Sequence, residues 1–235
     1  MGADAGAVDD SIAVREDAVV ERIWLDERSW VDLVRGWLSG ADSLYEAVVE
    51  RAPFRQGRIF RYDRWIDEPR LGASYSTSAE PAHPALRPIQ QAIRAQYKVP
   101  FDGYGLAWYR DGRDGQAFHR DRDLRWLDDT VIVLLTLGAT RPWLLRPRPN
   151  RYDHEASDQG ATHDLRPASG DLIVMGGATQ QFWEHSVPKV RTHRVAGRVS
   201  IQWRWTSGKG RPVVGASYRA PRTYTPDPGT RADLG

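Results

Sequence analysis

The chain has no cysteine, which removes disulfides, thiolate zinc centres and cysteine nucleophiles from consideration. Any metal must therefore be held by histidine and carboxylate. Long apolar runs are missing as well. None approaches the roughly 18 residues of a membrane-spanning helix, so no membrane partner is expected. The start, Met1-Gly2-Ala3-Asp4-Ala5-Gly6-Ala7, lacks the basic stretch and following apolar stretch of a secretory signal. A cytoplasmic protein is the expectation. An excess of one charge is also lacking, because 33 Lys and Arg against 31 Asp and Glu leave only +2. That balance does not by itself argue for nucleic acid. No internal repeat is present.

What is there is enough for one globular domain. With 235 residues and 40% hydrophobic content, the chain can bury a core, and a β-rich domain of this length is ordinary. Charge is uneven along it. Asp4, Asp9, Asp10, Glu16 and Asp17 make the start acidic, against Arg15 alone. Arg141, Arg146, Arg148 and Arg151 cluster, and Lys209, Arg211, Arg219 and Arg222 follow the last apolar segment. Arginine suits phosphate through its planar fork of donors, although a solvated charged surface explains the same pattern. Residues 1–18 read as a flexible start, 19–206 as the domain and 207–235 as a basic Gly/Pro-rich tail. A monomer is expected.

Apolar residues at helical spacing predict three N-terminal helices. The first runs through Trp30, Leu33, Val34, Trp37 and Leu38 and ends at Gly40. The second carries Leu44, Tyr45, Val48, Val49 and Ala52, and the third Leu86, Ile89, Ile93 and Tyr97, stopped by Pro100. After Phe101 the texture changes to short β-type runs: Thr130 to Leu137, Trp143 to Arg146, Leu172 to Met175 and Arg198 to Trp205. Turn-rich segments separate them, which predicts a sandwich, jelly roll or barrel.

Four features bear on chemistry. His119-Arg120-Asp121 places two ligand types one residue apart, and on a strand both side chains share a face. A surface His and Asp in a charged segment is the alternative. His185 follows Phe182 and Trp183 and precedes Pro188. Two imidazoles and one carboxylate form a facial triad that suits Fe(II), leaving positions open for oxygen and a co-substrate. The third feature is Arg198-Val199-Ser200-Ile201-Gln202-Trp203-Arg204, whose polar residues share one face and whose apolar residues share the other. The two guanidiniums stand roughly 20 Å apart along an extended strand, and their heads can converge on one small dicarboxylate; a half-exposed edge strand with its arginines in solvent is the alternative. The fourth is Gly170 to Gly177, a buried strand delivering the chain toward His185.

From about Phe101 to Trp205 the sequence resembles the AlkB-type Fe(II)/2-oxoglutarate dioxygenases. Tyr109-Arg110-Asp111-Gly112, His119-Arg120-Asp121, Leu135-Thr136-Leu137-Gly138, Gly170 to Gly177, Trp183 to Lys189 and the Arg-x-x-x-x-x-Arg strand occur in the family's order. Pro69-Arg70-Leu71-Gly72-Ala73-Ser74-Tyr75 is similar to its nucleotide-recognition region. The resemblance implies an α+β fold with a mainly β core, a double-stranded β-helix (jelly roll) on which N-terminal helices pack. Residues 19–100 would hold the helices and recognition region, and 101–206 the catalytic core.

It also implies a site. His119, Asp121 and His185 would ligate Fe(II). Tyr109, Arg198, Ser200 and Arg204 would hold 2-oxoglutarate, with Arg198 at the distal carboxylate and Arg204 near the iron. Tyr75, Trp65, Arg70 and Asp123 would meet the substrate base, and Arg141, Arg146 and Arg148 the phosphates. Ala107 and Ser200 stand where the family often has Asn. The implied activity consumes O2 and removes N-linked alkyl groups from DNA, possibly also RNA, with release of formaldehyde. A base must leave the stack to reach such a site. The alternatives are a dioxygenase hydroxylating a modified tRNA base, a protein or a small molecule, and a non-catalytic nucleic-acid-binding module.

Overall fold

The computed structural model describes residues 12–61, 64–121, 124–148, 161–191 and 194–213. In chain order the strands are β1 (Ala13–Val14), β2 (Val20–Trp24), β3 (Ser29–Val34), β4 (Leu38–Ser39), β5 (Arg55–Arg61), β6 (Arg64–Ser76), β7 (Gly103–Tyr109), β8 (Gln116–His119), β9 (Thr130–Gly138), β10 (Leu144–Pro147), β11 (His163–Asp164), β12 (Leu172–Gly177), β13 (Trp183–Val187) and β14 (Arg198–Thr206). Among the described residues three helices join them: α1 (Ala41–Arg51), α2 (Leu86–Tyr97) and the single turn α3 (Thr179–Phe182). None among the described residues is long and apolar enough to cross a membrane.

An eight-stranded major sheet has the order β2-β3-β12-β9-β14-β7-β6-β5, and a four-stranded minor sheet the order β11-β10-β13-β8. The two-stranded pair β1-β4 completes the set. Strand pairing among the described residues is antiparallel. This is the jelly roll that the sequence leads one to expect.

Two cores follow from the two faces of the major sheet. Along β9, Val131, Val133, Leu135 and Leu137 join the core under the helices, while Ile132 and Leu134 join the core between the sheets. Alternation with period 2 produces that division, and burial on both faces makes the run almost wholly apolar. On β14, Val199, Ile201 and Trp203 pack on the helix side, so Arg198, Ser200, Gln202 and Arg204 point between the sheets. Leu44 and Val48 of α1 and Leu86, Ile89 and Ile93 of α2 cover the helix side. Asp42 in the first turn of α1 and Arg51 in its last complement the helix dipole.

The first predicted helix is instead β3 and β4. Val31 and Leu33 face the inter-sheet core, whereas Trp30 and Val34 face the helices. A strand buried on both faces fills successive positions with apolar residues, so helical spacing arises among them by coincidence. Asp32 is the polar exception, and it is satisfied. Arg22 donates to both its oxygens at 2.7 and 2.9 Å, and Tyr97 Oη donates at 3.2 Å. Gly40 does not end a helix but precedes α1, in the left-handed conformation. Residues expected to belong to a flexible start are also partly ordered into the fold: Ile12 is buried and β1 pairs with β4.

Candidate metal and co-substrate site

The minor sheet places the two imidazoles. β13 pairs with β8 so that His185 stands directly opposite His119, with ring centroids 4.2 Å apart. Trp143 lies nearly parallel to His185, centroids 5.5 Å apart and planes 15° apart. The His119 Nδ1 is 3.0 Å from the Ala117 carbonyl. A proton on Nδ1 makes this a donated hydrogen bond, which fixes the ring and leaves the Nε2 lone pair free. That Nε2 is 3.7 Å from Asp121 Oδ1.

Asp121 is not on the strand, contrary to the expectation that one strand offers both ligands, because β8 stops at His119. Its backbone N–H donates to Gln180 Oε1 at 2.7 Å, and its Oδ2 accepts from Arg204 Nε at 2.8 Å. The three potential ligand atoms of His119, Asp121 and His185 lie within 4.8 Å of one another.

Electrostatics set these groups in metal-binding form. Burial pushes the His185 imidazolium down to about 3, with His119 adding to the effect and Asp121 opposing it. His119 is lowered chiefly by burial, again against Asp121. For Asp121 burial disfavours the charge, but Arg204 and then the two imidazoles outweigh it and hold the carboxyl well below its ordinary range. Neutral imidazoles and an ionised carboxylate are the states in which these side chains bind metal. His185 Nδ1 is buried without a hydrogen-bond partner. The residues fit a divalent cation.

The second half of the site lies along β14. Arg198 is 0% exposed, and burial pushes its guanidinium down to about 10. Its Nη2 reaches Thr136 Oγ1 at 3.2 Å and Ser200 Oγ at 3.4 Å. Its Nε and Nη1 are buried and have no partner. A buried guanidinium with two idle donors is costly, and a carboxylate ligand would satisfy both donors and neutralise the charge. Tyr109 pairs across the ladder with Arg198. Arg204, six residues on, faces the metal triad. Gln202 also accepts from Arg204.

The family model described as 2OG-Fe(II) oxygenase superfamily matches residues 18–204. The chain belongs to that superfamily. Among curated relatives, alpha-ketoglutarate-dependent dioxygenase alkB homolog 3 of Bos taurus is 28% identical over 178 residues, covering 71% of this chain and 62% of the relative. DNA oxidative demethylase ALKBH2 of Homo sapiens is 26% identical over 179 residues, covering 70% and 68%. The chain spans about six-tenths of the length of the alkB homolog 3 relatives it matches. These similarities are of AlkB type. Two solved structures share the fold: a prolyl hydroxylase of Trichoplax adhaerens (TM-score 0.54, 14% identity, 74% of this chain and 83% of that one) and AviO1 of Streptomyces viridochromogenes (TM-score 0.50, 14%, 79% and 94%). The superfamily implies iron(II), 2-oxoglutarate and O2, for which the triad and Arg198 provide fitting residues.

The other expected site residues divide by face. Arg70 lies close enough to the triad for its charge to lower both histidines, and it pairs with Glu68 at 3.2 Å. Trp65, near the turn of the β5–β6 hairpin, is 45% exposed, with Arg58 over its ring at 5.9 Å. Tyr75 requires correction. It pairs with Tyr104 and stacks on it at 4.9 Å, on the helix-covered face of the major sheet, opposite the face of Arg204. Asp123 lies outside the described residues.

The phosphate assignments also change. Arg141 is 1% exposed and donates to the carbonyls of Asp111, Asp114 and Pro188 at 3.0, 2.7 and 2.9 Å. Its guanidinium also lies over the Tyr109 ring at 5.5 Å. It pins two turns together and cannot meet a phosphate. Arg146 stacks on Phe118 at 3.7 Å and pairs with Glu184 at 3.3 Å. Arg148 is exposed, and Arg151 lies outside the described residues.

Three residues at the site escape a reading of the sequence: Gln180, Trp143 and Thr136. Thr136 left a signal, since it is a polar residue inside a run that is otherwise apolar from Val131 to Leu137. Gln180 left none, because its partner is 59 residues away.

Proposed function

We propose that this oxygenase removes N-linked alkyl groups from nucleic-acid bases, in DNA and also in RNA. The observation that supports a working oxygenase best is Arg198, a buried cation with two unpartnered donors in the same inter-sheet space as a His-Asp-His triad. A domain kept only as a binding module has no reason to retain that cost. The nucleic-acid reading is supported by the ALKBH2 relatives, whose names describe a DNA oxidative demethylase, and by the exposed Trp65, over whose ring Arg58 lies. An aromatic face next to a guanidinium suits stacking on a base.

His119, Asp121 and His185 would hold the iron, and Arg198 with Ser200 and Tyr109 the distal carboxylate of 2-oxoglutarate. Thr136 shares the Arg198 contact and joins that group. Bound iron, 2-oxoglutarate and O2 together supply the oxidising power to hydroxylate the alkyl carbon. The chain's own part is positional. Arg204 holds Asp121 ionised and aimed, the charge of Arg70 helps to keep the two imidazoles neutral, and Trp143 stacks on His185. The hydroxylated N–CH2OH product then breaks its C–N bond, the base nitrogen gains a proton and formaldehyde leaves.

The test is anaerobic loading with Fe(II) and 2-oxoglutarate, then oxygen, with methylated single- and double-stranded DNA and RNA. Mass spectrometry is expected to show loss of the methyl group from the base, matched by succinate. Succinate at only the substrate-free rate, with every oligonucleotide unchanged in mass, would sink the proposal. It would favour a protein or small-molecule substrate instead.

A further inference from the structure

The ladder between β8 and β13 holds His119 and His185 opposite each other and then ends. Asp121 lies two residues past β8, where its backbone N–H has no neighbouring strand. Gln180 supplies the acceptor, at 2.7 Å. Gln180 is 1% exposed, so no bulk water stands ready to replace it. Its Nε2 contacts Met175 Sδ at 3.6 Å.

Gln180 belongs to α3, between β12 and β13. One side chain therefore ties the third ligand's backbone to the segment that delivers His185. That segment is itself anchored from its other side. Ala178 N–H donates to the Arg28 carbonyl at 2.9 Å, and the Trp183 indole N–H donates to Asp26 Oδ2 at 2.7 Å.

We propose that Gln180 is a positioning residue of the metal centre, holding the Asp121 backbone while Arg204 orients its carboxylate. The two contacts act on different degrees of freedom. Arg204 engages Oδ2 and so fixes rotation about the side chain. Gln180 fixes where that side chain starts. With both in place, Oδ1 is left on the side of His119 Nε2. Without Gln180 the ion pair to Arg204 would have to place a ligand whose own backbone no strand holds. Partners of this kind typically contribute 10–100-fold to metal affinity. The inference rests on the triad being the metal site.

The test uses the full-length, metal-free protein titrated with Co(II), read by its visible d–d absorption. Gln180→Met keeps the length of the side chain and removes the amide oxygen, whereas Gln180→Glu keeps an acceptor at the same reach. Gln180→Met is expected to weaken Co(II) binding about 10–100-fold and to alter the absorption band, with the metal-free melting temperature close to wild type. Gln180→Glu is expected to recover most of the affinity. Wild-type affinity and spectrum in Gln180→Met would overturn the proposal, as would no recovery in Gln180→Glu. A Gln180→Met chain that does not fold without metal would assign Gln180 to the fold and overturn it too. The triad is checked separately: undiminished Co(II) binding in His185→Ala would refute the metal site itself, whatever Gln180 does.

Discussion

Arg198 concentrates the energetic argument for function in one side chain. Its charge is desolvated, and two of its donors are idle. Replacing a buried charge by an apolar side chain of similar volume is often neutral or stabilising. Arg198→Met is therefore expected to leave the ligand-free melting temperature unchanged or higher. It should weaken 2-oxoglutarate by about 100-fold or more, since two charge-assisted hydrogen bonds contribute about 1.5–3 kcal/mol each and about 1.4 kcal/mol is tenfold. Calorimetric titration and thermal melts of the same samples check both halves. A large loss of ligand-free stability with unchanged 2-oxoglutarate affinity would make Arg198 structural. Residue identity made this site partly legible beforehand. Arginine at 198 and 204, with apolar residues alternating between, announces one polar and one apolar face. Arg141 shows the limit of such reading. In sequence it stands in a basic cluster, yet in the fold three backbone carbonyls surround it.

At the scale of elements, register decides what a residue can do. Tyr75 and Arg70 are five positions apart on β6, but one lies against the helices and the other beside the triad. Pairing on β7 fixes the faces: Tyr75 stands opposite Tyr104, and Ser74 opposite Gly105. The strand at 29–34 carries helical spacing because burial on both faces erases the alternation that normally marks a strand. Its placement depends on a close approach to β12. A Cβ on Gly176 would fall 1.9 Å from the Trp30 ring, which Arg22 covers from 3.9 Å. Gly176→Ala is expected to destabilise the protein by about 1–3 kcal/mol, as overpacking does, in denaturant titrations. Adding Trp30→Leu should recover part of that loss. Full stability in Gly176→Ala would mean that the ring is free to move aside.

At the scale of the whole molecule, the triad makes the metal-free protein sensitive to acid. The folded-state pKa of His185 is depressed from 6.5 to about 3, and that of His119 is lowered too. Between those values the unfolded chain binds more protons, so stability rises with pH. The contribution is fully present above about 6.5, the ordinary histidine value, and is lost as pH falls toward 3. Asp121, also depressed, acts in the same direction below about 3.9. Metal-free melting temperatures are expected to fall steadily from pH 7 to 4, and His185→Gln should flatten the slope. A slope unchanged in that variant would place the acid sensitivity elsewhere.

The amino-acid sequence by itself determined the ligand types, the two faces of the strand from Arg198 to Arg204, the helices that carry Leu44 to Val49 and Leu86 to Tyr97, and the change to short β-runs after Phe101. Each depends on local periodicity or on the chemistry of one side chain. Only the tertiary structure decided which face of the major sheet each candidate joined, that Arg141 is enclosed, and that Asp121 is held by Gln180 and Arg204. Those outcomes depend on strand register and on contacts between residues 59 and 83 positions apart. Local pattern carries no trace of such contacts, because folding brings the partners together and nothing near either one in sequence requires the other.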